Sequence, residues 1–248
     1  MRWLTAIPIY NEIRHVRHVL AEVRKYCPNI LVIDDGSTDG TSAILAEETT
    51  IAVVHHPVNR GYGAAISSAF QFAITAGYDG LITTDCDGQH EPSRIPVLQE
   101  AIHDADIVSG SRYLRDFRQN TPAPIDRRSI NAVITAELNQ RFGLNLTDAF
   151  CGFKAYRVSA LTRLRISEAG WGMPLQLWVQ AARLGLRIKE IGVPRLYLDV
   201  NRAFGGVLND PGERLAYYRT VLETADATPL IDNSQTPELH HQFCPELG

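Results

Sequence analysis

The chain has 248 residues, 45% of them hydrophobic and 21% charged, with a net charge of −4. That is length enough for one large α/β domain with a sizeable core, and the mildly negative balance excludes an electrostatic case for binding nucleic acid. Four cysteines without paired spacing exclude a zinc site or a disulfide framework and fit a reducing compartment. No stretch approaches the ~20 apolar residues of a membrane span.

The segment Trp3 to Ile9 reads as a first strand, with no leader sequence expected before it. After Asn11, a candidate cap, Ile13, Val16, Leu20 and Val23 keep helical spacing. Ile30 to Ile33 reads as a second strand and runs into Asp34-Asp35-Gly36-Ser37. A helix opening near Thr38 or Asp39 carries Ile44 and Leu45, and Ile51 to His55 is the third strand. Ile66, Phe70, Ala73 and Ile74 mark a helix that stops at Gly77. Gly80 to Thr84 is a fourth strand, Pro92 opens a helix with Ile95, Leu98 and Ile102 on one face, and Ile107 to Ser109 is a fifth strand. Strands and helices alternating in this way predict βαβ units and a mostly parallel sheet flanked by helices. The second half is less regular, with helices over Arg127–Phe142, Leu175–Leu184 and Gly212–Thr224 and strands over Phe153–Arg157 and Ile188–Val193. Residues 1–224 read as a single domain, and 225–248 as a mobile tail.

Three of these strands end in acidic or turn-forming clusters, which parallel strands would gather on one edge of the sheet. That edge is where open α/β sheets bind ligands. The most telling cluster is Asp85-Cys86-Asp87-Gly88-Gln89-His90, directly after the fourth strand. Two carboxylates two residues apart repel unless a cation lies beside them. Oxygen ligands suit magnesium or manganese, and magnesium is commonly shared with substrate phosphates. Of the histidines, only His90 adjoins this chemistry, and a structural role is the expectation for it.

The motifs also stand in a recognisable order: Ile7-Pro8-Ile9-Tyr10-Asn11-Glu12, Val32-Ile33-Asp34-Asp35-Gly36-Ser37, Asn59-Arg60-Gly61-Tyr62-Gly63, Asp85 to His90, Gly110-Ser111-Arg112-Tyr113, and Asp148-Ala149-Phe150-Cys151-Gly152-Phe153-Lys154. Over residues 3 to 208 the chain resembles the family 2 glycosyltransferases of the GT-A fold, nearest the dolichyl- or polyprenyl-phosphate sugar transferases. The resemblance implies a nucleotide-binding half over about 1–112 and an acceptor half over about 113–224. It implies that Pro8, Tyr10 and Glu12 hold the base and ribose and that Asp35 reads the base edge, which a GDP- or a UDP-sugar would satisfy alike. Asp85, Asp87 and Gln89 match the site for Mg2+ or Mn2+ and the diphosphate. Arg112 and Arg127, the latter from the pair Arg127-Arg128, match basic positions near the phosphates. Arg202 matches an arginine of a phosphate-binding loop. Asp87, Asp148 and Arg202 are the implied catalytic residues, Asp148 as the base an alcohol acceptor would need, with a helix or turn cap as the alternative.

The implied reaction is an inverting transfer to an acceptor, foremost a polyprenyl phosphate. The expected protein is cytoplasmic, with weak peripheral contact at the inner face of the membrane. Two positions depart from the pattern. Relatives carry Gln-x-Glu where this chain has Gln176-Leu177-Trp178, and their phosphate loop ends in serine and lysine where this chain has Val207-Leu208. Both departures lie on the acceptor side. They keep open a soluble saccharide or alcohol acceptor, or a domain that binds a nucleotide sugar without turnover. Trp171 and Trp178 are candidates for an acceptor groove, with core packing as the alternative. Asp85-Cys86-Asp87-Gly88 also resembles a haloacid-dehalogenase phosphatase signature, but it follows the fourth strand rather than the first. Gly61-x-Gly63 lacks the third glycine of a dinucleotide fingerprint, since Ile66 stands there.

Overall fold

Strand residues of this chain are apolar on both faces, the pattern of a sheet covered by helices on either side. The computed structural model describes residues 1–198 and 203–229. Seven strands form one sheet: β1 (Trp3–Ile9), β2 (Ile30–Asp34), β3 (Ala52–His55), β4 (Gly80–Thr83), β5 (Ile107–Ser111), β6 (Lys154–Arg157) and β7 (Ile188–Gly192), in the order β3-β2-β1-β4-β6-β5-β7. Every neighbouring pair is parallel except those made by β6, which runs antiparallel between β4 and β5. The expected mostly parallel α/β sheet is what forms.

Alternation along the strands divides the core into two layers. Leu31 and Ile33 of β2 point into one layer, against Ala65, Ile66, Ala69 and Phe70 of α3 (Tyr62–Thr75). Ile30 and Val32 point into the other, against Val16, Val19, Leu20 and Val23 of α1 (Val16–Arg24). α2 (Thr41–Ala46) and α4 (Ile95–Ala101) belong to the second layer, through Leu45 and through Ile95 and Leu98. α5 (Ile125–Phe142), α6 (Val158–Leu161), α7 (Met173–Arg183) and α8 (Pro211–Ala227) join the first.

The structure adjusts several boundaries. β5 runs two residues past Ser109, which carries the strand up to Arg112. α5 starts at Ile125 rather than Arg127. α6 is four residues long, too short to show a helical period. α8 continues to Ala227, so its last turn takes the first residues of the expected tail; 230–248 lie outside the described residues. That helix opens with Pro211, and the Asp210 carboxylate accepts from the amides of Gly212 (2.8 Å) and Glu213 (3.0 Å). Among the described residues no helix is long and apolar enough to cross a membrane.

Candidate active site

Because β2, β1 and β4 are adjacent and parallel, the segments that follow them leave the sheet at one edge. Asp35, Tyr10 to Glu12, and Asp85 to Gln89 therefore meet, and β5 delivers Arg112 to the same place. They line one cavity of about 1090 Å³. Pro8 lines it as well. A hydrogen-bond network shapes the end nearest β2. The Asn11 side chain accepts from the Thr38 amide at 2.7 Å, with Asn11 itself at φ 57°, a left-handed conformation that asparagine tolerates. The Glu12 amide donates to Thr41 Oγ1 at 3.0 Å. Asp35 is buried and accepts from the amides of Arg60 (2.9 Å) and Gly61 (2.8 Å) and from His56 Nδ1 (2.5 Å). His56 had no sequence signal beyond closing a strand.

The Asp85 side chain is about a third exposed, at 32%. It rests on Gly152: a Cβ there would lie 2.6 Å from Asp85 Oδ2 and 2.7 Å from Oδ1. The glycine of Cys151-Gly152-Phe153 thus makes a cradle that any side chain would fill. Asp87 Oδ1 accepts from the Gln89 amide at 3.0 Å. His90 stacks on Phe153 at 5.1 Å, and its Nδ1 accepts from the Asp85 amide at 3.1 Å. This is the structural role expected for it: it fixes the turn that presents the acids. Two carboxylates and one amide oxygen lining a cavity are donors of the type hard divalent cations take.

Arg112 and Asp148 form the most elaborate pair. Asp148 has no exposed surface and takes five hydrogen bonds: from Arg112 Nε (2.7 Å), Arg112 Nη2 (2.9 Å), the Arg112 amide (3.1 Å), Asn131 Nδ2 (2.7 Å) and the Phe150 amide (3.1 Å). Burial pushes its carboxyl up, but the charge and hydrogen bonds of Arg112 outweigh that and hold it at about 2. Asp148 does not border the cavity, while Arg112 does. All the lone pairs of the carboxylate that the resemblance offers as a base face donors in this structure, and what it holds in place is the Arg112 guanidinium. Glu190 of β7 supports the pair from behind, accepting from the amides of Thr147 (2.8 Å) and Asp148 (3.1 Å).

The end of the cavity opposite β2 is basic and aromatic. Arg127 lies over the Phe204 ring (4.9 Å) and the Tyr197 ring (5.9 Å). Of the Arg127-Arg128 pair, Arg127 lines the cavity, while Arg128 is exposed and does not. Arg214, which the sequence analysis did not single out, is buried. It pairs with Asp126, donates to the Leu208 carbonyl at 2.8 Å, and faces Phe204 at 4.3 Å. Trp171 stacks on Tyr62 at 5.4 Å and lines the cavity, with Phe150 and Tyr218 nearby. Trp178 does not line it: it is fully buried and donates to the Ala149 carbonyl at 2.9 Å. The two tryptophans thus take the two different fates open to them. Arg202 lies outside the described residues.

An acidic parallel-sheet edge here faces a cleft that ends in arginines, a lining whose chemistry suits a phosphate-bearing ligand. The profile described as "Glycosyl transferase family 2" matches residues 5–165. The chain is 34% identical over 221 residues to an undecaprenyl-phosphate mannosyltransferase of Micrococcus luteus, covering 85% of this chain and 90% of that protein. It is 32% identical over 206 residues to a polyprenol monophosphomannose synthase of Mycolicibacterium smegmatis, covering 77% and 76%. Among solved structures, the glucosyl-3-phosphoglycerate synthase of Mycobacterium tuberculosis with Mn2+, UDP and glucosyl-3-phosphoglycerate superposes with a TM-score of 0.67 at 20% identity, over 92% of this chain and 81% of that one. The chain belongs to glycosyl transferase family 2.

Proposed function

We propose that this protein moves a sugar from a nucleoside-diphosphate donor to a polyprenyl phosphate, with inversion at the anomeric carbon. The observation that carries this reading is one continuous cavity, lined by Asp35, Asp85, Asp87 and Arg112 where the strands end and by Arg127 and Arg214 among aromatic rings at the other end. The relatives named for undecaprenyl-phosphate and polyprenol chemistry support the acceptor. In this reading residues 1–112 hold the donor and 113–224 the acceptor.

Pro8, Tyr10, Glu12 and Asp35 would hold the nucleoside. Asp85, Asp87 and Gln89 would hold a magnesium or manganese ion, which when bound neutralises charge building on the departing diphosphate. Arg112, fixed by Asp148, points a guanidinium at the same charge, and a donor placed in advance in this way can lower a barrier by about 3–4 kcal/mol. An acceptor phosphate is ionised at neutral pH, its second pKa being ~6, so it needs orientation rather than a base. The full engagement of Asp148 suits that requirement. Arg127 and Arg214 would orient the phosphate, Arg202 would add charge, and Phe204, Trp171 and Tyr218 offer apolar surface to the first isoprene units. Contact with the membrane would be peripheral.

The experiment is transfer to a short-chain polyprenyl phosphate by the purified chain in the presence of Mn2+, with the product's anomeric configuration read by NMR. The expected product is a β-linked sugar phosphate from an α-linked donor. Transfer to soluble sugars or alcohols with every lipid phosphate ignored would refute the acceptor, and a retained configuration would refute the single displacement.

A further inference from the structure

The carboxylate of Asp35 can be counted lone pair by lone pair. Oδ1 accepts from His56 Nδ1 at 2.5 Å and from the Arg60 amide at 2.9 Å, while Oδ2 accepts from the Gly61 amide at 2.8 Å. A carboxylate has about four acceptor positions, two on each oxygen. Oδ1 is therefore full, and one position remains, on Oδ2. Asp35 is 3% exposed, and what it exposes borders the cavity.

The three resident donors have no freedom to move aside. His56 is buried between β3 and α3, and its Nε2 lies 2.9 Å from Ser68 Oγ, which can donate or accept. The Asp35 carboxylate can only accept, so Nδ1 carries its proton toward it whether or not the ring is charged. Gly61 sits at φ +98° with its Cα against the Ala169 carbonyl, where a Cβ would come within 2.5 Å. The Ala64 amide donates to the same carbonyl at 3.1 Å. A Cβ on Gly36 would meet Val58 C at 2.5 Å, so the loop before Arg60 is packed directly on the turn after Asp35. Asp35 is itself tied to β1 by its amide, which donates to the Ile9 carbonyl at 2.8 Å.

We infer that the donor's base presents a single N–H to Asp35, as a uracil-type imide does, and that His56 and the Arg60 amide select against guanine by filling Oδ1. The inference rests on the proposed use of a nucleotide-sugar donor. Guanine carries N1–H and N2–H side by side and addresses both oxygens of a carboxylate at once. Here its second donor would meet an oxygen already occupied by two N–H groups. It must then displace a packed donor or remain unpaired in a desolvated pocket, and sites rank ligands steeply on that kind of mismatch. A uracil N3–H needs one acceptor, and one is open.

The test is calorimetric titration of the full chain, with Mg2+ present, by UDP, by N3-methyl-UDP and by GDP. UDP should bind at least about tenfold more tightly than either of the others, since each mismatch leaves a polar group unpaired. His56→Leu opens a second acceptor position and should narrow the gap between UDP and GDP. His56→Asn, which keeps a donor, should preserve it. GDP binding as tightly as UDP, or N3-methyl-UDP binding as well as UDP, overturns the inference, and both readings come from the unaltered protein. Turnover of a GDP-sugar with tight GDP binding would leave the transferase reading standing while this one falls. Imide-dependent UDP binding without transfer of sugar from any donor would do the reverse.

Discussion

Replacing Asp148 by asparagine tests whether this residue positions Arg112 or takes a proton. The carboxylate has no exposure, and its oxygens accept only from N–H donors: Arg112 Nε and the Arg112 amide on Oδ2, and Arg112 Nη2, Asn131 Nδ2 and the Phe150 amide on Oδ1. An amide has an NH2 at one end, so whichever way it turns, at least two donors face a donor. The counter-charge of Arg112, whose side chain is only 19% exposed, goes as well. Breaking a buried pair on one side costs about 3–5 kcal/mol. At ~2–4 °C per kcal/mol for a chain of this size, the melting temperature should fall by roughly 6–20 °C. The exposed pair Arg17–Glu47 is the control, because its side chains are more than half exposed and such pairs add little to stability. Thermal unfolding read by circular dichroism measures both. In a double-mutant cycle with Arg112→Ala, the coupling should be about 2 kcal/mol, within the span found for contacting residues. A variant that melts within ~2 °C of the parent yet has lost all turnover would refute the positioning role and return Asp148 to the chemistry.

Asp87→Ala should abolish transfer and leave the melting temperature within ~2 °C, since a loop acid outside the core packs little; full activity of the variant, or of the parent in EDTA, would contradict the metal assignment. Gly152→Ala drives a Cβ to within 2.6 Å of Asp85 Oδ2, so the acid must shift. Turnover should drop about 100-fold, the scale of a 1 Å misplacement at a reacting site, and manganese titration should show a weakened midpoint. Acid unfolding carries its own signature. Asp148 is held at about 2 in the fold, against ~3.9 unfolded. Its contribution is therefore complete above about pH 5 and is lost as pH falls from there through 2, amounting to about 2–3 kcal/mol. Urea unfolding across that window should show a shallower fall for Asp148→Asn than for the parent.

Much of this was legible in the residues because strands buried on both faces and helices with one apolar face leave strong periodic marks. β1 and the cores of β2 to β5 lie where the apolar runs stand, those of β1, β2 and β4 lead into acidic clusters, and the shared edge of Asp35, Asp85 and Asp87 follows once those strands are parallel. What was not legible depends on pairing across the sheet. Nothing local in Lys154-Ala155-Tyr156-Arg157 says that β6 inserts antiparallel between β4 and β5. That insertion sets the segment leading into β6, Gly152 included, beside the acids that follow β4, pairing Thr83 with Lys154. His56 and Arg214 were missed for the same reason. Each becomes meaningful through a partner 21 or 88 residues away, Asp35 or Asp126, and neither spacing leaves a periodic trace.

The departure at Trp178 can now be understood physically. Lys154 is 2% exposed, and burial lowers its pKa. It donates to the Cys151 carbonyl and lies 5.3 Å from the centre of the Trp178 ring. Where the resemblance implies an acid, this chain places a π face against a buried amine, and a ring face attracts a cation without the desolvation cost of a second buried charge. The tryptophan also fills volume beneath Ala149, whose carbonyl receives its indole N–H. The ring thus accommodates a buried lysine behind the acids that follow β4 and does not itself line the cavity. Leu208 is a different matter. Its carbonyl is bound by Arg214, which turns back over Phe204 into the cavity. A cation missing from the loop is thereby matched by one reaching in from α8, so the basic end of the site keeps a positive charge drawn from another element of the fold.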